Sequence, residues 1–157
     1  MREANRILGF REAERVEIVS LMDNTIDLLS TSPREEVKGF RDWVKGASRY
    51  PIAEHGFSML IRIFGGNKTH SLLFDAGGSP RGVIINSRRM GISLAEVECI
   101  VLSHGHHDHF GGLPAVAKTI NKSGLPIIVH SDMFRKRGTL SSSGIINKYP
   151  VFPKRIK

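Results

Sequence analysis

The stretch Ser103-His104-Gly105-His106-His107-Asp108-His109-Phe110-Gly111-Gly112 decides the reading of this chain. Four potential metal ligands, His104, His106, Asp108 and His109, fall close together within it. Imidazole nitrogen with carboxylate oxygen is a donor set that suits borderline metals such as zinc. Packed without a cation, the same imidazoles would lose solvation and repel one another once protonated. A metal site is therefore the reading that accounts for the cluster.

The flanks say how such a loop is held. Cys99-Ile-Val-Leu102 is a continuous apolar run, expected of a strand buried on both faces. Beyond the loop, Pro114 opens a helix with Leu113, Val116 and Ile120 on its inner side, and Gly124 ends it. Leu125-Pro-Ile-Ile-Val129 then reads as a second buried strand. Strand, loop, helix and strand form a βαβ unit, for which a right-handed crossover is the rule. A loop anchored at both ends by rigid elements can direct several side chains to one place.

Farther out, Phe57–Phe64 and Thr69–Asp75 read as a hairpin around Gly65-Gly66-Asn67-Lys68. Ser79-Pro80 starts a helix with Val83, Ile84 and Met90 on one face, Gly91 stops it, and Ser93 with Glu96 suggests another capping box. Val16, Ile18, Val19, Leu21 and Met22 form a first strand ending at Asp23-Asn24. Ser32-Pro33-Arg34-Glu35 carries helix-start chemistry, and Val37, Phe40 and Val44 give that helix a buried face. Trp43 in this insertion reads as core packing or a lid.

The expected fold is α/β, a mixed sheet with hairpin strands first, parallel strands later, and helices on one face. Its segments are an extension over 1–14, a main unit over 15–137 interrupted by an insertion at 24–52, and a basic tail over 138–157 without periodicity.

Composition narrows the function. At 157 residues, 40% hydrophobic and 24% charged, the chain suits one globular domain. No apolar run approaches the ~20 residues that span a bilayer, and the charged N-terminus is unlike a secretory signal. Cys99 is the single cysteine, so a disulfide framework is excluded and a cytoplasmic setting expected. The net charge of +8 is uneven: residues 131–157 hold seven basic side chains against Asp132 alone. A nearly neutral main unit disfavours nucleic acid as partner. The local patch of Arg135, Lys136 and Arg137 suits a small phosphorylated anion, although a solvated tail explains it nearly as well.

His104-x-His106-x-Asp108-His109 resembles the signature of the metallo-β-lactamase superfamily, and Leu72-Leu-Phe-Asp-Ala-Gly77 resembles its first motif. The resemblance implies an αββα sandwich of which this chain is the N-terminal half. It implies two divalent ions, zinc first with manganese or iron as alternatives, with partial occupancy in this chain. His104 and His106 would hold one ion, and Asp108 and His109 the other. Two such metals lower the pKa of a bridging water and clamp a substrate oxygen; Asp108 would orient that hydroxide. Asp75 would brace the loop from behind, or else serve as a turn residue before its glycine.

Leu21-Met-Asp-Asn24, Ala53-Glu-His-Gly-Phe-Ser58 and Val101-Leu-Ser-His-Gly-His106 resemble one branch of the superfamily. That branch includes the dihydropterin–ribofuranosylaminobenzene phosphate synthase of methanopterin biosynthesis and bacterial relatives of unsettled function. Asp23, Asn24, Glu54 and His55 are then candidate pocket residues, with turn chemistry or capping as the alternative. His130 is a candidate beyond the last strand, His107 a solvent-facing or supporting residue between ligands, and His70 an exposed strand residue.

The superfamily pattern also needs further histidines and a bridging carboxylate from its second half, and no histidine follows His130. Two function classes follow. One is a metal-dependent hydrolase- or transferase-type enzyme acting on a small anionic substrate. The other is a catalytically incomplete fragment or subunit that works with a second half or as a homo-oligomer; a nuclease-like relative ranks below both. Half a sandwich would also leave one sheet face uncovered.

Overall fold

The structure is a computed structural model that describes residues 11–153 apart from 33, 44 and 47. Five strands form one sheet in chain order: β1 (Arg15–Met22), β2 (Ser58–Gly65), β3 (Lys68–Phe74), β4 (Cys99–Val101) and β5 (Ile127–Ile128). β1, β2 and β3 pair antiparallel, whereas β3, β4 and β5 run parallel. The mixed α/β sheet anticipated from the sequence is therefore present. Gly66 takes φ +58° at the first central position of the β2–β3 turn, where a tight hairpin favours glycine.

Register explains the core. Val19, Leu60, Leu73, Ile100 and Ile127 align in one row across all five strands, and all but the half-buried Ile127 are buried. The described helices are α1 (Phe40–Trp43), α2 (Gly82–Arg89), α3 (His107–Phe110) and α4 (Leu113–Ile120). Val83 of α2 and Leu113, Val116 and Ile120 of α4 join the core made by this row. Each such side chain contributes ~1.5–3 kcal/mol by leaving water. Buried Asn86 ties α2 to the first strand, donating to the carbonyls of Leu21 and Ile52 at 2.8 Å each.

The other face is partly open. Val16, Ile18 and Ile128 are 51, 60 and 55% exposed, with Met59, Ile61, Leu72, Phe74 and Val101 half-buried between them. These residues make an apolar surface on this side of the sheet.

Several local expectations need correction. The insertion helix shrinks to α1, which has no buried residue, and Val37 is 51% exposed. Gly39 interrupts the run: a mid-helix glycine costs about 1 kcal/mol, and here its N–H goes to the Asp42 carboxylate at 3.3 Å. Pro33 and Val44, both used for that expectation, lie outside the described residues, as do residues 1–10 of the extension and the basic Lys154, Arg155 and Lys157.

Ser93 caps a single 3₁₀ turn, but Glu96 turns away from the capping box to pair with Arg62 at 2.7 Å. α4 ends at Asn121 in left-handed backbone, before Gly124 is reached. The strand expected over 125–129 is two residues long with Ile128 exposed, because β5 is the sheet edge. The stretch expected to be irregular holds a hairpin, β6 (Gly138–Leu140) with β7 (Ile146–Lys148), followed by buried Phe152.

Candidate metal centre

The site lies at the carboxyl ends of β3 and β4, the edge where parallel sheets receive ligands. Phe74 and Val101 are register partners, so the two chains leave the sheet together at Asp75 and Leu102, with Ser103 one residue on and bonded back to Asp75. Asp75 is fully buried and takes φ 59°, a left-handed conformation costing a non-glycine residue roughly 1 kcal/mol. Its hydrogen bonds offset that cost. Its N–H donates to the Val101 carbonyl at 2.9 Å, and its own carbonyl accepts from Ser58 Oγ at 2.8 Å.

The Asp75 carboxylate organises the loop. Oδ1 accepts from Ser103 N at 2.8 Å, while Oδ2 takes Ser103 Oγ and His109 Nδ1, each at 2.7 Å. A carboxylate only accepts, so His109 donates from Nδ1, and in the neutral ring Nε2 is then the lone-pair nitrogen. Ser103, having donated to Asp75, is free to accept from His104 Nδ1 at 2.9 Å. That contact likewise frees His104 Nε2. One buried acid thus selects the tautomer of two imidazoles, one of them through a serine.

The freed atoms face two further groups, the Asp108 carboxylate and the His106 ring, whose Nδ1 can donate or accept. His109 Nε2 lies 3.3 Å from Asp108 Oδ2, and His104 Nε2 lies 3.1 Å from His106 Nδ1. A lone pair against a carboxylate repels unless a proton or cation lies between them. Two nitrogens on one tetrahedral zinc stand ~3.3 Å apart at the usual bond length, close to the His104–His106 separation. The donor chemistry therefore fits divalent ions at both pairs. Among the described residues no three His, Cys, Asp or Glu side chains form a ready metal group, so these are open pairs and not a closed cage. Burial, then His109 and His106 close by, push the His104 imidazole below its ordinary pKa, against an upward pull from Asp75 and Asp108. The shift favours the neutral form of this ring.

The motif's backbone is locked to its neighbours. Ala76 N donates to the His109 carbonyl at 2.8 Å, Gly112 N to that of Gly77 at 3.1 Å, and Phe57 N to that of Asp108 at 3.3 Å. A Cβ on Gly111 would strike the Gly78 carbonyl, and one on Gly112 the Ala76 carbonyl. Both positions require glycine for this approach.

The remaining candidates divide. His55 reaches the site, its Nε2 3.6 Å from Asp108 Oδ2 with the side chain 84% exposed. Glu54 supports it from behind, Oε1 accepting from Gly78 N at 3.2 Å and Ser79 N at 3.0 Å. Asn24 Oδ1 accepts from Gly56 N at 3.3 Å, while the Asp23 carboxylate caps Asn24 N at 2.6 Å. His107 is exposed beside Phe110, and His70 pairs with Glu98 on the surface.

His130 caps the turn after β5, Nδ1 accepting from Asp132 N at 3.2 Å. Arg135 pairs with Asp132 at 2.9 Å. Arg137 is turned onto backbone carbonyls, including that of Gly105, which counts against the phosphate-binding use considered for it. Ser103 and Tyr149 carry parts of the site that went unassigned in the sequence; for Ser103 the signal was a hydroxyl between a core strand and the first histidine.

The family model of the metallo-beta-lactamase superfamily matches residues 52–155. Over 83 residues, 53% of this chain, the sequence is 34% identical to the 7,8-dihydropterin-6-methyl-4-(beta-D-ribofuranosyl)-aminobenzene-5'-phosphate synthase of Methanocaldococcus jannaschii, covering 28% of that protein. An uncharacterized protein of the same organism is 42% identical over 83 residues, 53% of this chain and 30% of that protein. The match thus spans less than a third of these curated relatives. Similar solved structures include the Rm3 metallo-beta-lactamase, at 24% identity and TM-score 0.39 over 62% of this chain and 36% of that one. Metallo-beta-lactamase MIM-1 from Novosphingobium pentaromativorans has 25% identity and TM-score 0.40 over 61% of this chain and 36% of its own. On the extent of the family match, the chain belongs to the metallo-beta-lactamase superfamily.

Proposed function

We propose that this chain carries the metal-binding loop of a hydrolase- or transferase-type enzyme acting on a small, phosphorylated anion. His104 and His106 hold one divalent ion, and Asp108 with His109 a second. The observation carrying this reading is the pair His109 Nε2 and Asp108 Oδ2, 3.3 Å apart while Nδ1 is engaged by Asp75. Such an arrangement is stable around a cation. Nitrogen and carboxylate donors favour zinc, with manganese or iron as alternatives. Bound there, divalent ions supply Lewis acidity and a nucleophile at neutral pH.

The chain's own groups do the rest. Asp75 and Ser103 hold the imidazoles in ligand form, Asp108 orients the attacking group, and exposed His55 is placed to meet substrate or pass a proton at Nε2. The phosphate in the name of the 34% identical relative supports the substrate class. A cytoplasmic setting is proposed from the lone Cys99; no described helix is long and apolar enough to cross a membrane.

The test is elemental analysis of the full chain equilibrated with zinc, manganese or iron(II), beside His104→Ala and Asp108→Ala. Each variant should lose one class of bound ion and keep the other, and each should lose any phosphomonoester cleavage shown by the wild-type chain. Wild-type chain that retains no metal above a motif-free control refutes the reading.

A second reading rests on the open pairs and on the exposed row of Val16, Ile18 and Ile128. In it the site is completed by another stretch of polypeptide, a second half or another copy, that also covers the sheet. Sizing distinguishes them: a stable monomer holding two ions tightly counts against this second reading.

A further inference from the structure

The hairpin segment after β5 touches the metal loop at three places, none of which the proposed chemistry uses. Arg137, half-buried, is spent on backbone. Nη1 donates toward the carbonyls of Met133 and Arg135 at 3.2 Å and Gly105 at 3.5 Å, and Nη2 to that of Asp132 at 2.5 Å. Gly105 is the residue between His104 and His106. It is buried, its φ lies outside the left-handed region, and a Cβ there would stand 2.7 Å from Arg137 Cζ. A side chain at this position would therefore have to displace the Arg137 guanidinium, whose atoms are the nearest to it, and not backbone.

Two further contacts follow from the same segment. Tyr149 N donates to the Arg137 carbonyl at 2.9 Å, and the Tyr149 ring stands edge-on to His106, with centroids 6.1 Å apart. Buried Phe152 packs against Phe110 at the loop's far end, 5.3 Å between centroids.

We infer that Arg137 is a positioning residue: by holding the Gly105 carbonyl and backing the loop where a side chain would otherwise be, it fixes the angle between His104 and His106, and Tyr149 completes the support at the His106 ring. The inference rests on the metal-site reading for its consequence but not for its geometry. The planar guanidinium reaches several carbonyls at once, which a lysine ammonium at the end of a flexible stem cannot reproduce. Asp75 braces the loop from the end of β3, and Arg137 from the segment after β5. The two supports are separate, since Asp75 contacts His109 directly and His104 through Ser103, while Arg137 acts between His104 and His106.

The experiment uses the full chain with Arg137→Ala, Arg137→Lys, Gly105→Ala and the double variant Gly105→Ala/Arg137→Ala, with Arg135→Ala as control. In the metal-free chain, imidazole NMR resonances should shift for His106 and His104 in Arg137→Ala and stay in place for His109. Zinc affinity at the His104–His106 pair should fall about 10–100-fold, the usual cost of losing an outer support. Cobalt(II) bound there should change its visible spectrum. Arg137→Lys should behave as Arg137→Ala, and Arg135→Ala as wild type.

Gly105→Ala should disturb the same resonances with Arg137 present, and in the double variant it should add nothing to the shift that Arg137→Ala makes alone, because the clash is gone. Circular dichroism selects variants that fold. Should Arg137→Ala fail to fold, Gly105→Ala and Arg137→Lys carry the same comparison. Unshifted His106 resonances in folded Arg137→Ala or Arg137→Lys would overturn the inference. If wild type binds no metal, the metal reading fails alone, while the metal-free resonances still decide whether Arg137 positions the loop.

Discussion

Replacing Asp75 by asparagine is the sharpest single perturbation of the centre. Side-chain volume is kept, but one oxygen becomes an N–H₂ group. Oδ1 of the new residue can still accept from Ser103 N, the bond now 2.8 Å long. The new amide group then faces Ser103 Oγ and His109 Nδ1, both at 2.7 Å from the present Oδ2. Ser103 can rotate to accept. His109 can avoid a donor–donor contact only by moving its proton to Nε2, which faces Asp108 at 3.3 Å.

The lone pair that would bind an ion is thereby lost. Losing the charge on three hydrogen bonds and straining one buried donor costs about 2–4 kcal/mol of folding stability. Affinity at the Asp108–His109 pair should fall about 10–100-fold. Urea unfolding measures the first quantity, and competition with a chromogenic chelator the second. Nitrogen-15 NMR of the imidazoles reads the tautomer directly, with the His109 proton moving from Nδ1 to Nε2. An Asp75→Asn chain that unfolds with wild type and binds zinc equally well would refute the reasoning.

Three other outcomes are expected. The Arg62 guanidinium hydrogen-bonded to Glu96 holds that carboxyl below its ordinary range, so the pair stabilises the fold above the unfolded carboxyl's pKa and loses this as pH falls through the lower folded value. Glu96→Gln should therefore lose ~0.5–1 kcal/mol at neutral pH and show a shallower acid limb, read by denaturation at pH 3–7. Asn121, at φ 53°, should cost about 1 kcal/mol on replacement by alanine and almost nothing by glycine, checked by thermal melting. Ile18→Asp, at a site 60% exposed, should change monomer stability by no more than ~0.5 kcal/mol yet reduce concentration-dependent association in sedimentation velocity.

How much could be read in advance depended on whether a residue's role is local. The strand, loop and helix around His104–Gly112 were legible because a short apolar run and helical spacing report the core that Ile100, Val116 and Ile120 share. The hairpin was legible because Gly66-Asn67 separates two apolar runs. The number of neighbours a strand has does not register in its own residues, so Leu125–Val129 looked buried although β5 is an edge. β6 and β7 are exposed throughout and carry no alternation to read.

Side chains that serve distant backbone leave even less trace. Arg137 looks like part of a basic run, and only folding brings it beneath Gly105, 32 positions earlier. Ser103 was in plain view within the motif, but its two roles, toward Asp75 and toward His104, depend on a parallel register that brings Asp75 within reach of the residue after Leu102.

The backbone bonds linking Ala76 to His109, Gly112 to Gly77 and Phe57 to Asp108 involve no ligand atom of any side chain. The loop's path is consequently set by the polypeptide itself. Amide protons at Ala76 and Gly112 should exchange slowly with solvent deuterium before any ion is supplied. Adding zinc should tighten the imidazoles while changing those exchange rates little. On the proposed metal reading, loading would be capture by a prearranged frame, without a folding step.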